Sequence, residues 1–139
     1  MAEDGKRVAR TAWAALASYA PARIREAFAE DAEWLAPEGN ATAMALGGSN
    51  HLHGWAQIAD TIGKEVWSLF ARDVKVDITG MYADANVVIV EQRLRATLSR
   101  GKAYDSDYCF VCEVENGQVC RVREYMDTAK GRRMIFCNG

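Results

Sequence analysis

The fold of this chain is decided by the stretch Val119-Cys120-Arg121-Val122-Arg123-Glu124-Tyr125-Met126. Its residues alternate with a period of two, which indicates a β-strand with one face against a core. The apolar face is predicted to carry Cys120, Val122, Glu124 and Met126, and the other face Val119, Arg121, Arg123 and Tyr125. A carboxylate on an apolar face costs on the order of several kcal/mol unless it is paired, hydrogen-bonded or protonated. Glu124 is therefore the first candidate for a functional residue.

The rest of the chain divides into a helical half and a strand-rich half. Alternation predicts strands over residues 74–82, 87–99 and 103–114, joined by turns at 83–86, 100–102 and 115–117. Apolar spacing predicts helices over residues 4–18, from Pro21 to Phe28 and from Trp55 to Phe70, with a short strand at 33–36 and a long loop at 38–54. Helices followed by an antiparallel meander predict one α+β domain over residues 1–139, with three N-terminal helices packed on the sheet.

Composition excludes several classes of partner. A formal net charge of -2 provides no basic field for nucleic acid and no polybasic patch for a membrane surface. No apolar run approaches the roughly 20 residues that a membrane span needs. The polar start at residues 1–6 does not look like a secretory signal. We therefore expect a cytoplasmic protein with neither a nucleic acid nor a membrane as partner.

The four cysteines do not form a recognisable metal or redox motif. Cys109 and Cys112 have CxxC spacing, but a strand turns positions i and i+3 to opposite faces. Redox and zinc motifs instead need a turn between the two thiols. Cys120 and Cys137 supply no second CxxC pair. All four are expected to be buried free thiols.

The register of the last hairpins decides which residues meet Glu124. Three-residue loops in both hairpins would make the apolar faces coincide, and they predict Tyr108 directly across from Glu124. Two-residue loops are disfavoured because they would place Arg121 and Arg123 beside Phe110. On the opposite face Arg95 is predicted near Asp107. The mixed charges there indicate a solvated sheet face or a polar dimer interface.

The apolar face is predicted to enclose a small-molecule pocket with a few polar groups. Its expected lining residues are Trp34, Trp55, Gln92, Leu94, Ser106, Phe110 and Val122, with His53 at the mouth. Desolvation would raise the pKa of Glu124, so that it could act as a general acid or base. Tyr108 would then orient Glu124 or donate to a developing oxyanion. The alternative to a functional site is a structural one, in which Glu124 and Tyr108 only satisfy each other's hydrogen-bonding groups inside a packed core.

His51 and His53 form an H-x-H pair in the predicted loop. Such a pair can bind a metal ion, but no third ligand stands at a convincing spacing. We therefore expect no metal, and we expect no organic cofactor because proton transfer by Glu124 needs none.

The order of these elements resembles the superfamily of nuclear transport factor 2, and particularly its SnoaL-like branch of polyketide cyclases, ketosteroid isomerases and limonene epoxide hydrolases. The residues that carry the resemblance include Gly54-Trp55-Ala56-Gln57-Ile58, Asn116-Gly117-Gln118-Val119 and Arg123-Glu124-Tyr125-Met126-Asp127. The resemblance implies a curved mixed sheet around helices (a cystatin-like α+β barrel), a cone that admits an apolar ligand, and a homodimer. The catalytic aspartate of steroid-isomerase relatives falls on Ala36. In epoxide-hydrolase relatives the Arg-x-Asp pair falls on Gln92 and Leu94, and their remaining acid falls on Glu124.

Two functions of different classes follow. The first is a cofactor-independent acid/base enzyme, an isomerase, dehydratase, cyclase or hydrolase, that uses Glu124 on a small apolar substrate. The alternative is a non-catalytic domain for small-molecule binding or dimerization, with the outer sheet face and the tail at residues 132–136 supplying contacts.

Overall fold

The alternating segments of the second half form the larger part of a six-stranded sheet in the computed structural model, which describes residues 2–18, 20–47 and 49–136. The elements are, in chain order, α1 (Ala2–Ser18), α2 (Pro21–Ala27), β1 (Phe28–Leu35), α3 (Ala41–Leu46), β2 (His51–His53), α4 (Gly54–Thr61), a 3₁₀ helix (Glu65–Leu69), β3 (Phe70–Asp84), β4 (Val87–Leu98), β5 (Ala103–Glu115), β6 (Gln118–Met126) and α5 (Thr128–Phe136). Cys137, one of the four predicted free thiols, lies outside the described residues, as does Tyr19.

The sheet is mixed and open. Its strand order is β2-β1-β6-β5-β4-β3, with β1 and β6 parallel and the other neighbours antiparallel. The predicted α+β class, with a mixed sheet and helices packed on it, is therefore confirmed; the sheet is not closed, because β2 and β3 are its edges. Among the described residues no helix combines the length and the apolar character that crossing a bilayer requires.

The first half contains shorter helices than the sequence predicted. α2 ends at Ala27, and Phe28 already begins β1. The helix from Trp55 ends at Thr61 because the chain turns at Gly63. A Cβ at this glycine would lie 2.7 Å from the carbonyl oxygen of Ala59, so glycine permits the close return. The predicted loop at 38–54 contains α3 and the edge strand β2.

The core lies between α1 and the inner face of the sheet. α1 buries Val8, Ala12 and Leu16, as its spacing predicted. The C-terminal tail forms α5 and packs on β5 and α3 of its own chain, with Ile135 buried. Cys109, Cys112 and Cys120 are free, although only Cys112 is fully buried. Burial raises the pKa of the Cys112 thiol to about 12, which keeps it protonated.

The β5–β6 hairpin differs from the predicted register. Its loop is the two-residue turn Asn116–Gly117, in which both residues have positive φ (53° and 76°), as hairpin turns of this length prefer. One extra residue, Cys120, then interrupts the ladder as a β-bulge. The bulge turns Arg121 and Arg123 outward, away from Phe110. The two-residue loop therefore does not place these arginines on the buried face, contrary to the expectation from the sequence.

The bulge also changes which residues lie on the buried face. Val119 is buried, and Cys120 is only half-buried, so their predicted faces were wrong. Phe110 is the residue across from Glu124, and Tyr108 pairs with Met126. The prediction that Tyr108 faces Glu124 directly was therefore wrong.

The β4–β5 loop does contain three residues but begins one residue earlier than predicted, at Ser99. This shift pairs Gln92 with Tyr108 and Leu94 with Ser106. On the outer face Arg93 binds Asp105 at 2.6 Å. Arg95 binds Asp77 at 3.3 Å and not the predicted Asp107.

Candidate active site

A cavity of about 130 Å³ lies between the helices and the inner face of the sheet. Its walls are predominantly apolar, with Trp13 and Leu16 from α1, Trp67 from the 3₁₀ helix, Phe70 from β3 and Leu94 from β4. The polar members of the lining are Asn40, Ser49, Asn50, Thr61, Gln92, Tyr108 and Glu124. A few polar groups in an apolar cleft are typical of small-molecule sites. The volume is close to that of an engineered apolar cavity that binds benzene, of about 150 Å³.

Glu124 contributes a carboxyl group to this cavity from β6. Its side chain is buried, with 7% of the residue surface exposed. The indole Nε1 of Trp34 donates a hydrogen bond to Oε1 of Glu124 at 2.7 Å. Burial raises the pKa of Glu124 to about 7. The hydrogen bond from Trp34 stabilises the charged form and so lowers the pKa, but its effect is smaller than that of burial. The carboxyl group therefore exchanges protons near neutral pH.

An aromatic cluster holds the hydrogen-bond donor in place. Trp34 stacks on Trp13 with ring centroids 5.8 Å apart, and its edge meets Phe110 at 5.7 Å. Trp13 in turn donates from Nε1 to Oε1 of Gln92 at 3.0 Å. β1 and β6 are adjacent parallel strands, with Trp34 level with Val122, and this pairing brings Trp34 beside Glu124. The packing fixes both indoles, so the direction of each N–H is set by the fold.

Tyr108 lies on the cavity wall but is not the hydrogen-bond partner of Glu124. Its hydroxyl is paired with the hydroxyl of Tyr104, four residues earlier on the same face of β5. Burial raises the pKa of Tyr108, and the nearby tyrosine and carboxyl groups raise it further, so the phenol is neutral. Trp34 occupies the partner role that the sequence assigned to Tyr108.

The structure brings together six of the ten residues that the sequence predicted for the site. Those on the cavity wall are Trp34, Gln92, Leu94, Tyr108, Phe110 and Glu124. Their functional roles remain predictions.

The other four predicted residues do not line the cavity. Trp55 lies under the guanidinium of Arg25, whose Cζ is 5.4 Å from the ring centroid. Ser106 is buried and hydrogen-bonded to Tyr104, and Val122 is enclosed in the core. His53 is exposed and is not among the lining residues, because its side chain projects from the face of β2 opposite to Leu52.

Sequence reasoning missed Trp13, Asn50 and Trp67 as lining residues. Trp13 lies in the helix predicted over residues 4–18, and its large apolar side chain beside the apolar stripe was not predicted to reach the pocket. Asn50 belongs to the predicted loop, and its Nδ2 donates to the carbonyl oxygen of Ala36 at 3.1 Å. This bond ties the loop to the end of β1, and no periodicity reveals it.

Three potential metal ligands meet on the other side of the β1–β2 pair. Glu33 lies across from His53 in the strand register, and Oε2 of Glu33 is 2.9 Å from Nε2 of His51. Among the described residues, these three side chains form the group of His, Cys, Asp and Glu that could hold a metal ion. The hydrogen bond from His51 lowers the pKa of Glu33, so its carboxylate is charged.

A family profile described as the SnoaL-like domain matches residues 9–122. The chain belongs to the SnoaL-like domain family. The SnoaL-like fold explains the open mixed sheet with helices on its inner face. No curated protein sequence gives a significant match.

Solved structures with this fold cover nearly the whole SnoaL-like chain. An NTF2-like protein of unknown function from Burkholderia pseudomallei K96243 has a TM-score of 0.81 and 20% identity, over 96% of this chain and 98% of that one. A putative SnoaL-like polyketide cyclase from Jannaschia sp. CCS1 has a TM-score of 0.80 and 13% identity, over 99% and 94%. An LEH-like epoxide hydrolase from M. tuberculosis has a TM-score of 0.71 and 17% identity, over 96% and 90%. At these identities the likeness shows the fold and leaves the activity to the residues of the site.

Proposed function

We propose that this SnoaL-like chain is a cofactor-independent acid/base enzyme that moves a proton on a small apolar carbonyl or hydroxyl compound. Glu124 is the proposed catalytic residue. The Glu124 carboxyl group is buried, faces an apolar cavity and has a pKa of about 7, and the proposal is based on this combination. A general acid or base works best when its pKa lies near the working pH.

The size of the cavity limits the substrate. A volume of about 130 Å³ suits a single six-membered ring and is too small to enclose a four-ring steroid. The lining offers stacking surfaces on Trp13 and Phe110 and few hydrogen-bonding groups. A monocyclic ketone, enone or alcohol therefore fits the site better than a charged or strongly hydrated molecule.

The proposed step needs only proton transfer. Ionised Glu124 accepts a proton from a carbon next to the substrate carbonyl, and the C–H electron pair forms an enolate. The protonated Glu124 then returns the proton to the same carbon or to a conjugated one, so that the enzyme ends unchanged. Trp34 holds the carboxyl group in one orientation through its 2.7 Å hydrogen bond.

Gln92 is the proposed donor to the substrate oxygen. Its Oε1 accepts the hydrogen bond from Trp13, so its amide Nε2 is the atom that it offers to a ligand. A donor aimed at an enolate oxygen stabilises the charge that develops when the proton leaves. The names of the related structures, a polyketide cyclase and an epoxide hydrolase, are compatible with carbonyl or oxygen-ring chemistry in this fold.

Hydrogen–deuterium exchange tests the proposal without knowledge of the natural substrate. Cyclohexanone and 2-cyclohexen-1-one are incubated with the protein in D₂O, and loss of the proton signals next to the carbonyl is followed by NMR. The wild-type chain should accelerate exchange, and Glu124→Gln should abolish the acceleration while preserving shape. Glu91→Gln removes a charge from the exposed face of β4 and should leave the rate unchanged.

The same experiment separates the enzyme from the binder. Exchange by Glu124→Gln at the wild-type rate would remove Glu124 from the mechanism. If both proteins bind these ketones equally, as measured by thermal shift, and neither accelerates exchange with any member of a wider panel of monocyclic ketones, the alternative of a non-catalytic binding domain is correct.

We also propose that the chain forms a homodimer through the edge strand β3. Val74, Val76 and Ile78 alternate along this strand and are 41%, 41% and 45% exposed, which is unusual for a row of apolar side chains. A long unpaired edge with an apolar row can meet the same row of a second copy around a two-fold axis. The charges of the outer face are instead paired within the chain, as in Arg93–Asp105 and Arg123–Glu113.

Sedimentation of two charge-insertion variants tests the dimer and locates its interface. Ile78→Lys places a charge in the apolar row and should shift the protein to the monomer. Thr79→Lys places the same charge on the next, exposed residue of β3 and should leave the dimer intact. A monomeric wild-type chain excludes the dimer, and dissociation by Thr79→Lys alone would assign it to the outer face.

A further inference from the structure

Glu33, His51 and His53 stand together on the β1–β2 pair, on the side away from the cavity. His51 and His53 are two residues apart on a strand, so their side chains project from the same face. Their ring centroids are 4.0 Å apart. The available ligand atoms of the three side chains all lie within 4.8 Å of one another. Two imidazoles and one carboxylate therefore converge on one point.

We propose that these three residues form a binding site for a divalent transition-metal ion, of which Zn²⁺ is the best fit. Two histidines with one glutamate are an established ligand set for zinc with a fourth, open position. Ligand atoms that share a tetrahedral zinc ion are about 3.3 Å apart, given bond lengths of about 2.0–2.1 Å. Oε2 of Glu33 and Nε2 of His51 are already 2.9 Å apart. The third ligand atom, on the exposed ring of His53, lies within 4.8 Å of the other two.

A plain ion pair does not account for all three residues. Glu33 and His51 alone would form a surface pair of little energetic value. His53 adds a second imidazole beside the first, with ring centroids 4.0 Å apart and a ligand atom near the same carboxylate. A shared metal ion uses all three groups. The positive charge of Arg121, which lies across from Glu33 on β6, also acts on the Glu33 carboxylate, but its Nε lies 3.9 Å from Oε2 of Glu113.

The position of the site gives the metal a consequence for the cavity. β2 contains only three residues, and Leu52, between the two histidines, points the other way and lines the cavity. The segment before β2 supplies Ser49 and Asn50 to the same cavity wall. A metal bound to both β2 histidines and to β1 therefore fastens this wall to the sheet. We expect Zn²⁺ to stabilise the folded chain by mass action and to hold the wall in place.

Histidine NMR is the most direct test, because His51 and His53 are the only two histidines in the chain. Untagged protein, treated with EDTA and desalted, is titrated with Zn²⁺ while the imidazole ¹⁵N and ¹H signals are recorded. Both histidines should shift together and saturate at one equivalent. A shift of neither histidine, or of one alone, would overturn the proposal without the use of any variant.

A competition titration against a chromophoric zinc chelator then identifies the ligands. Glu33→Gln, His51→Gln and His53→Gln should each weaken Zn²⁺ binding by about tenfold or more. The double variant His51→Gln/His53→Gln keeps all four cysteines, so metal uptake by thiols is the same in both proteins and cancels in the comparison. Equal uptake by the wild type and the double variant, or no effect of His53→Gln, contradicts the site. Zn²⁺ should also raise the melting temperature of the wild type and not that of the double variant.

Discussion

Glu124→Gln should remove most of the decrease in stability that the wild-type chain undergoes between weakly acidic and weakly basic pH. In the unfolded chain Glu124 loses its proton near the ordinary value of 4.5, whereas in the folded chain its pKa is about 7. Between these values the folded state binds more protons than the unfolded state. The free energy of unfolding therefore falls as the pH rises.

The size of this effect follows from the difference between the two pKa values. A difference of about 2.5 pH units corresponds to about 3.4 kcal/mol, since each unit is about 1.36 kcal/mol. About 2.5 kcal/mol of it falls between about pH 5 and pH 8, with little further change above pH 8. Glutamine has the same shape and no titrating proton, so the variant should gain this amount relative to the wild type over that interval.

Urea unfolding followed by tryptophan fluorescence at four pH values between 5 and 8 measures the effect. The quantity of interest is the free energy of unfolding of Glu124→Gln minus that of the wild type, because contributions from other groups cancel in this difference. Glu91→Gln, which removes an exposed glutamate, controls for the loss of one negative charge. A difference that stays constant within about 0.5 kcal/mol across the range would refute a raised pKa for Glu124.

Two further substitutions test the hydrogen bonds around Glu124 and Tyr108, and a third tests the β5–β6 turn. Trp34→Phe removes the hydrogen-bond donor to Glu124, so the pKa of Glu124, obtained from the pH dependence of the free energy of unfolding with and without Glu124→Gln in this variant, should rise above about 7. The free energy of unfolding of Trp34→Phe at pH 8 should fall by about 1.5–3 kcal/mol. Tyr108→Phe breaks the hydroxyl pair with Tyr104 and should cost about 1–2 kcal/mol, yet it should leave the Glu124 midpoint where it is; a shift as large as that of Trp34→Phe would restore Tyr108 as the partner. Gly117→Ala places a side chain at φ 76° in the β5–β6 turn and should lower the free energy of unfolding by about 1 kcal/mol in urea titrations, whereas no loss would contradict the turn geometry.

Much of the fold was predictable because hydrophobic alternation is a local property. The strands of the second half and the first helix, predicted over residues 4–18 and observed at Ala2–Ser18, follow from spacing alone, and so does the α+β class. The buried position of Glu124 also followed, because its strand neighbours Val122 and Met126 are apolar. The boundaries of the second and third helices did not follow, since the sheet recruits Phe28 and Phe70, whose apolar side chains fit a helix face equally well.

The residue across from Glu124 depended on a shift of two positions in the β5–β6 register, from the predicted Tyr108 to Phe110. The bulge at Cys120 changes which side chains meet across β5 and β6, and nothing in the local pattern distinguishes it from a longer loop. The prediction consequently selected Tyr108. The actual donor, Trp34, reaches Glu124 through the parallel pairing of β1 with β6, between residues 90 positions apart.

The sequence by itself determined that an apolar face would carry one carboxyl group, because residue types and their period are written along the chain. Only the tertiary structure decided which indole holds that carboxyl group, how large the cavity beside it is, and that Glu33 joins His51 and His53. These features depend on contacts between strands that are distant in the chain, and such contacts are selected by the packing of the whole sheet and not by local preference.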